Sequence, residues 1–345
     1  MKLHLTDIHL PLSVPFGTSH GTLYSKHNLL VALEDDGITG YGEVPPSLAY
    51  QSITAGTERA ALEAARYLIE STPLDTPGEY WEAMQPMLGD HRFALCALDQ
   101  AANDLWARRL GKPLWQLWGL ELKDLPPSNF TISLDTPECM LQRLNEMPGW
   151  PVYKIKLGRP ATDMVAMRLL RRSTGALLRV DANTGWSVEQ ALKFAPELAE
   201  MGVEFIEQPL PPEDRLGMAR LKASCPLPLI ADESCQDESD VIRCREHFQG
   251  INIKLTKAGG LTPARRMIVE ARKLGLKVMA GCMLESTVGI SSLAQLLPML
   301  DAVDMDGALL LGADIAEGVR LEQGHAIFPD RPGSGVSLLP AAENN

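Results

Sequence analysis

The chain has 345 residues, enough for one large domain and one smaller domain. Its 45% hydrophobic content, 22% charged content and formal net charge of −12 describe an ordinary globular composition that lacks excess positive charge. This balance disfavours proteins that bind nucleic acids or anionic membranes, because a large basic surface is needed to neutralise phosphates. No run approaches the ~20 apolar residues of a transmembrane helix, and residues 1–13 contain no signal-peptide core.

The first part of the chain predicts a small α+β domain. Strands are predicted at 2–10, 28–34 and 38–43, and helices at 53–70 and 91–110. Asp35, Asp36 and Gly37 mark a hairpin turn between the second and third strands. The helix over 91–110 ends at Gly111, which is followed shortly by a proline. We therefore assign residues 1–122 to this domain.

After residues 126–127, both proline, strands and helices alternate regularly. Strands are predicted at 129–134, 152–157, 177–181, 203–207, 227–231, 251–255, 277–281 and 301–305. Helices between them include 162–174, 188–200, 261–274 and 287–299. Eight strands alternating with helices predict a (β/α)₈ barrel over residues 123–315. The segment 316–345 is rich in Gly and Pro, and we expect it to return and pack on the first domain.

The cysteines indicate free thiols. No two of them have the CxxC spacing of a metal or redox site. They are Cys96, Cys139, Cys225, Cys235, Cys244 and Cys282. Widely spaced cysteines without a pairing pattern are typical of a reducing compartment, so we expect a cytoplasmic protein.

Three carboxylates follow three successive predicted barrel strands. Asp181, Glu207 and Asp232 each come directly after a short apolar run, about one β/α unit apart. Functional residues of such barrels lie at the carboxyl ends of the strands. Three converging oxygen ligands suit a hard divalent cation, most simply Mg²⁺, so the sequence predicts one metal site here.

Lysines are predicted on two opposite strands. Lys154 and Lys156 share one face of the second strand, because side chains alternate along a strand. By the same parity, Lys254 points the same way as Asn252 on the sixth strand, half a barrel away. The predicted metal site lies between them.

The opposed lysines suit one reaction. A carbon acid beside a carboxylate is very weak, and a divalent cation stabilises the charge that its deprotonation creates. With Lys156 and Lys254 on opposite faces of that carbon, its configuration would invert, as in a racemase or epimerase. Lys154 adds a positive charge nearby. A lysine base must be neutral to accept a proton, and we expect the neighbouring cations to lower its pKa.

The motifs resemble those of the enolase superfamily, in the subgroup of muconate-lactonizing-enzyme-like proteins. The resemblance covers nearly the whole chain. It is carried by residues 41–43, 105–114, 154–156, 181–183, 207–209, 232–234 and 254–260. It implies a barrel of the modified (β/α)₇β form, and an N-terminal capping domain that the C-terminal segment completes. It also implies a Lys or His base with one Mg²⁺ per subunit, and by analogy a homo-oligomer.

Within the subgroup, residues 281–286 and the pair Asp304 and Asp306 resemble the dipeptide epimerases. In these enzymes the aspartate pair binds the α-ammonium of the dipeptide, its terminal carboxylate binds Mg²⁺, and the adjacent α-carbon of an L,L-dipeptide is inverted. Two alternatives stay open. One is a cycloisomerase or an o-succinylbenzoate-synthase-like lyase, and the other is a non-catalytic, metal-binding barrel for small carboxylates.

The resemblance also implies which side chains meet the substrate. Epimerases of Ala-Glu carry an arginine in the first capping loop, whereas residues 16–22 here contain His20 and no arginine. A neutral imidazole binds carboxylate weakly, so an apolar or cationic second residue is expected instead of glutamate. Further substrate-binding candidates are Tyr50, Cys282, Met283 and Glu285. Supporting residues around the metal and lysines are Asn183, Glu233, Asn252 and Lys257.

Overall fold

The computed structural model describes residues 1–18, 21–47 and 52–340. The first domain begins with an antiparallel sheet, β1 (Lys2–Thr18), β2 (Gly21–Asp35) and β3 (Ile38–Val44), in that order. The β2–β3 turn forms where the sequence predicts it. Asp36 and Gly37 both have positive φ values, 49° and 75°, as a two-residue hairpin turn requires.

Four helices follow the sheet: α1 (Ala55–Ser71), α2 (Pro77–Leu88), α3 (Arg92–Arg109) and α4 (Leu114–Leu117). Helix α3 is buried along most of its length. It lies directly against β3, where a Cβ on Gly42 would stand 2.0 Å from the carbonyl oxygen of Ala97. Glycine is therefore needed at this position of β3 for the helix to approach so closely.

Eight parallel strands form the second domain. They are β4 (Phe130–Ile132), β5 (Val152–Lys156), β6 (Leu177–Asp181), β7 (Val203–Glu207), β8 (Leu229–Ala231), β9 (Gly250–Lys254), β10 (Lys277–Gly281) and β11 (Ala302–Asp304). They pair in sequence order from β4 to β11. A parallel bridge between Ser128, just before β4, and Val303 brings the two edges together. This confirms the predicted barrel with an N-terminal antiparallel domain.

Helices connect the barrel strands and cover their outer faces. They are α5 (Pro137–Glu146), α6 (Asp163–Ser173), α7 (Val188–Glu200), α8 (Arg215–Ser224), α9 (Glu238–His247), α10 (Leu255–Ala258), α11 (Leu261–Lys273) and α12 (Thr287–Ala294). Strand β11 is followed by a 3₁₀ turn, Gly307–Leu310, instead of an α-helix. Inside the barrel, Phe205, Ile230, Met279 and Ala302 form a small apolar cluster below the strand ends.

The last segment contains four short strands, β12 (Ala316–Glu317), β13 (Arg320–Glu322), β14 (His325–Ile327) and β15 (Ser337–Leu338). Between β14 and β15 the chain lies against α3. The backbone amide of Ser334 donates to Asp104 at 2.7 Å, and Arg108 donates to the carbonyl oxygen of Val336 at 2.6 Å. Helix α3 also contacts the barrel, since Asp99 accepts hydrogen bonds from the amide and hydroxyl of Thr262 at 2.8 and 2.7 Å.

Across the described ranges, every helix is too short or too polar to cross a lipid bilayer.

Candidate active site

Three carboxylates meet at one end of the barrel. Asp181 and Glu207 are the last residues of β6 and β7 and pair with each other in the parallel ladder. Asp232 follows the end of β8. One oxygen from each side chain lies within 4.8 Å of the others, and all three residues are buried. The structure thus brings the three predicted metal ligands together.

Amide side chains orient these carboxylates. The side-chain oxygen of Gln208 accepts hydrogen bonds from the backbone amides of Asp232 and Ser234, at 2.9 and 3.1 Å. The amide of Asn252 donates to Glu207 Oε1 at 2.7 Å. Gln208 has a φ of 33°, a left-handed conformation that turns the chain sharply after β7. The sharp turn and the two amides hold the acids in their converging arrangement.

The donor set fits Mg²⁺. Glu207 Oε2 is buried and accepts no hydrogen bond of good geometry, although Lys154 Nζ lies 2.8 Å away. Mg²⁺ binds oxygen at about 2.0–2.1 Å, so two ligands on opposite sides of the ion are separated by about 4.2 Å. One oxygen from each of the three carboxylates lies within 4.8 Å of the others, which is close to this spacing.

Lys154 lies at the centre of the acidic group. Its ammonium contacts Asp181 at 3.0 Å, Glu207 at 2.8 Å and Asp304 at 2.8 Å, and the side chain is 1% exposed. Burial disfavours this charge, but Asp181, Asp304 and Glu207 together raise the pKa of Lys154 well above its ordinary value. Lys154 is therefore a permanent positive charge beside the predicted metal ligands.

Lys156 and Lys254 reach the same pocket from opposite strands. Lys156 Nζ contacts Asp181 at 2.7 Å and Asn183 at 3.1 Å, while Lys254 Nζ contacts Asp232 at 2.6 Å. Strands β5 and β9, which carry them, are separated by three intervening strands on one side of the barrel. The predicted parity is found on both strands, because Tyr153, Ile155 and Ile253 face the outer core instead.

Lys254 has a carboxylate neighbour that opposes the predicted lowering of its pKa. Burial alone would lower it, but the adjacent Asp232 carboxylate outweighs this and raises the pKa of Lys254 above its ordinary value. Lys257 contacts the other oxygen of Asp232 at 2.5 Å and is buried on the short helix α10. A cation bound to Asp232 would compete with both lysines for its negative charge.

A second acidic group lies beside the first, and Lys154 contacts both groups. Asp304 ends β11, and Asp306 follows two residues later. Asn129 donates to Asp304 at 2.8 Å, and the backbone amide of Thr131 donates to Asp306 at 2.5 Å. Burial, and then Asp304, raises the pKa of Asp306 to about 8, whereas Lys154 outweighs burial at Asp304 and lowers its pKa.

One pocket is lined by Lys154, Lys156, Lys254, Asp232 and the aspartate pair. It encloses about 890 Å³, including space open to solvent at its mouth. Its lining includes Phe16, Leu23, Lys26, Pro46, Thr131, Lys154, Lys156, Asn183, Asp232, Glu233, Lys254, Cys282, Met283, Leu284, Asp304, Asp306 and Leu310. The first domain therefore supplies one wall of the pocket, and the barrel supplies the floor and the other walls.

Of the three substrate-binding residues predicted after β10, two line the pocket and one does not. Cys282 and Met283 line the pocket, and burial followed by the two aspartates keeps the pKa of the Cys282 thiol well above its ordinary value. Glu285 does not line it; its carboxylate turns back to accept from the amide of Met283 at 2.9 Å. His20 and Tyr50 lie outside the described residues.

Sequence reasoning missed four residues that the structure connects to the site. Asn129 and Thr131 hold the aspartate pair, Gln208 holds Asp232, and Lys26 lines the pocket. The first barrel strand contains a usable signal, because Asn129 and Thr131 alternate with the apolar residues Phe130 and Ile132. No comparable pattern marks Lys26.

Comparison with known families accounts for both domains. Residues 2–119 match the N-terminal domain of mandelate racemase and muconate lactonizing enzyme. Residues 140–342 match the enolase C-terminal domain-like family. The chain belongs to the enolase superfamily.

Other members of the enolase superfamily resemble this chain along its whole length. The L-Ala-D/L-amino acid epimerase of Maribacter sp. is 48% identical over 339 residues, covering 98% of this chain and 99% of the relative. An enzyme of the same name from Flavobacterium johnsoniae is 46% identical, with 98% and 100% coverage. The dipeptide epimerase of Cytophaga hutchinsonii, solved with Mg and the dipeptide D-Ala-L-Val, has a TM-score of 0.93 and 26% identity, covering 98% of this chain and 95% of that one.

Proposed function

We propose that this protein is a Mg²⁺-dependent dipeptide epimerase that inverts the α-carbon of the C-terminal residue of an L,L-dipeptide. The observation that carries the proposal is the position of Lys156 and Lys254 on opposite strands of one pocket. The aspartate pair on β11 and the relatives named as epimerases further support it. A cycloisomerase or lyase acting on a substrate without an ammonium would leave Asp304 and Asp306 without a ligand.

Asp181, Glu207 and Asp232 would hold the metal, one ion per subunit. A bound Mg²⁺ supplies Lewis-acid stabilisation of the charge that develops next to the substrate carboxylate. The permanent charge of Lys154, 2.8 Å from Glu207, adds electrostatic stabilisation from the protein itself. Asn252 and Gln208 keep the carboxylates oriented during the reaction.

Two lysines would move the proton. Lys156, as a neutral amine, takes the α-proton from one face of the carbon and becomes an ammonium. Lys254, protonated at the start, delivers its proton to the opposite face and becomes neutral. One proton is removed and one returned, so the α-carbon is inverted and the substrate composition is unchanged. Asn183 and Asp181 contact Lys156, and Asp232 contacts Lys254, so each amine is aimed by a neighbouring oxygen.

The aspartate pair would fix the other end of the dipeptide. Asp304 and Asp306 can accept hydrogen bonds from an α-ammonium, while Asn129 and Thr131 hold them in place. An ammonium site and a carboxylate site in one pocket, with the reacting carbon between them, would suit a dipeptide, which carries both groups. We propose an apolar or cationic second residue, and the apolar lining residues Phe16, Leu23 and Leu310 support the apolar option.

The compartment and assembly are part of the same proposal. The six cysteines form no disulfide in the structure, which suits the reducing cytoplasm. Assembly into a homo-oligomer rests on analogy with the family, and light scattering on the purified protein would test it. The net charge of −12 supports a small-molecule partner in preference to a nucleic acid.

Isotope exchange tests the activity directly. Incubation of the protein with Mg²⁺ and L-Ala-L-X dipeptides in D₂O should place one deuteron on the α-carbon of X, measured by mass spectrometry and by loss of the α-proton NMR signal. Chiral chromatography should show the L,D product. If no dipeptide in a library covering all apolar and cationic X exchanges its α-proton, the proposed function is wrong.

A further inference from the structure

Lys26 is an unusual residue in the wall of the pocket. It lies on β2 and is 7% exposed, although the neighbouring Ser25 and His27 are exposed. Side chains alternate along a strand, so Lys26 faces the same side as Asn28, which donates to the carbonyl oxygen of Leu284 at 3.2 Å. Lys26 therefore lies between the first domain and the barrel loop that follows β10.

Its ammonium has no ionic partner among the described residues. Its hydrogen bond goes to a main-chain carbonyl, that of Pro46, and Lys26 forms no ion pair with another described residue. Burying an ammonium without a counter-ion is costly. Burial lowers the pKa of Lys26 to about 8, against the opposing effects of Glu43 and Glu285, so most of the side chains are still charged at pH 7.

The two nearby acids lie behind the wall and face elsewhere. Glu43 is fully buried and accepts from Asn28 at 2.7 Å and from the backbone amide of Ser286 at 3.0 Å. Glu285 accepts from the amide of Met283, and burial together with Glu43 raises its pKa to about 8. Lys26 lines the pocket, whereas neither acid is among its lining residues.

The part of the pocket wall formed by the first domain and by the segments after β10 and β11 is mainly apolar apart from Lys26. It includes Phe16, Leu23, Met283, Leu284 and Leu310. We call this part the cap end; its elements differ from those that carry the metal ligands at the ends of β6 to β8, and it would receive a dipeptide side chain that points out of the barrel. An apolar substrate side chain would pack at the cap end without contacting the Lys26 ammonium, and an acidic side chain would form an ion pair with it. A cationic side chain would be repelled by the like charge of Lys26, in a region with little solvent to screen it.

We infer that Lys26 sets the charge selectivity of the cap end, so that the enzyme rejects dipeptides with a cationic side chain there and accepts neutral or anionic ones. The inference rests on the proposed function and narrows it, because it removes the cationic option at the position that faces the cap end. Lys26 would act by touching the substrate side chain, and it takes no part in proton transfer.

Matched substrates test this inference at pH 7 in the presence of Mg²⁺. L-Ala-L-Lys is compared with L-Ala-L-norleucine, and L-Lys-L-Ala with L-norleucyl-L-Ala, because norleucine has the length of lysine without its charge. In the wild-type enzyme, kcat/KM should favour norleucine by about tenfold or more at one of the two positions. L-Ala-L-Glu and L-Ala-L-Gln form a third pair, in which the anion should not be disfavoured.

Three variants assign the effect to the charge of Lys26. Lys26→Gln should reduce the norleucine-to-lysine ratio by about tenfold. Lys26→Arg keeps the charge and should keep the ratio. Lys2→Gln should also keep it, because Lys2 is an exposed residue at the start of β1. The inference is overturned if wild type shows no discrimination at either position, or if Lys26→Gln discriminates as wild type does. If Lys26→Gln does not fold, the norleucine-to-lysine ratio of the wild-type enzyme still tests whether the enzyme discriminates against a cationic side chain. Absence of α-proton exchange with every dipeptide would instead refute the proposed function.

Discussion

Replacing Lys154 by Met should destabilise the metal-free protein strongly. Methionine has nearly the same length but no charge, so the change removes the ammonium that contacts Asp181, Glu207 and Asp304. Removing one partner of a buried ion pair costs about 3–5 kcal/mol, because an uncompensated charge stays behind. The remaining carboxylates keep Lys156, Asn252 and Asn129 as partners, which places the expected loss near the lower limit, at about 3 kcal/mol.

Urea unfolding in the presence of EDTA measures this loss of stability. Lys193→Met, on the exposed face of α7, is the matched control, and its free energy of unfolding should be within about 0.5 kcal/mol of wild type. Added Mg²⁺ should then stabilise Lys154→Met by about 2.7 kcal/mol at one hundred times its dissociation constant, since the ion binds only the folded protein. Equal stability of Lys154→Met and wild type in EDTA would refute the ionic network, and no response of either protein to Mg²⁺ would refute the metal site.

Three further predictions concern proton transfer, substrate binding and pH. Lys156→Ala and Lys254→Ala should each lower the epimerization rate by about 10²–10⁴. Each variant keeps one base, so each should still exchange the α-proton of one substrate configuration in D₂O, and the two variants should act on opposite configurations. Full epimerization activity of both variants would exclude a two-base reaction. Asp304→Asn should lower kcat/KM for dipeptides by about 10- to 100-fold but spare N-acetylated dipeptides, and an equal loss for both would argue against ammonium binding. Burial raises the pKa of Asp99 to about 7 from an ordinary value of 3.8, so its proton is held more tightly in the folded state. The resulting stabilisation is complete below about pH 4 and is lost as the pH rises to about 7, and Asp99→Asn should flatten this part of the unfolding free energy; an unchanged slope in urea titrations at several pH values would contradict it.

The repeating elements were predictable from sequence because each leaves a local pattern. Short apolar runs that end in a polar residue located the barrel strands and the carboxylates, and alternation placed Lys154 and Lys156 on the inner face. Helix α2 was missed, although Thr76 and Pro77 form a recognisable helix start. Its buried residues Tyr80, Trp81, Met84 and Leu88 also follow a helical period.

Features that depend on distance between elements were not predictable. Charges near the lysines could be predicted from the sequence but their distances could not, so the sequence does not show that Asp232 lies 2.6 Å from Lys254. Gln208 and Asn252 orient carboxylates on other strands, and their partners are known only once the barrel closes. Lys26 is part of an otherwise ordinary alternating strand, and only its burial against the barrel distinguishes it.

Helix α3 limits how this enzyme can be divided or recombined. Asp99 of α3 accepts a hydrogen bond from a backbone amide in the first turn of α11, and Asp104 accepts one from the backbone amide of Ser334. A fragment starting after residue 122 would leave both sets of donors without their acceptors, at about 1–3 kcal/mol for each buried group. Chimeras that exchange the capping domain between relatives should therefore keep α3 together with the barrel that it contacts. In single-molecule pulling experiments, we expect the capping domain and the barrel to unfold in one step.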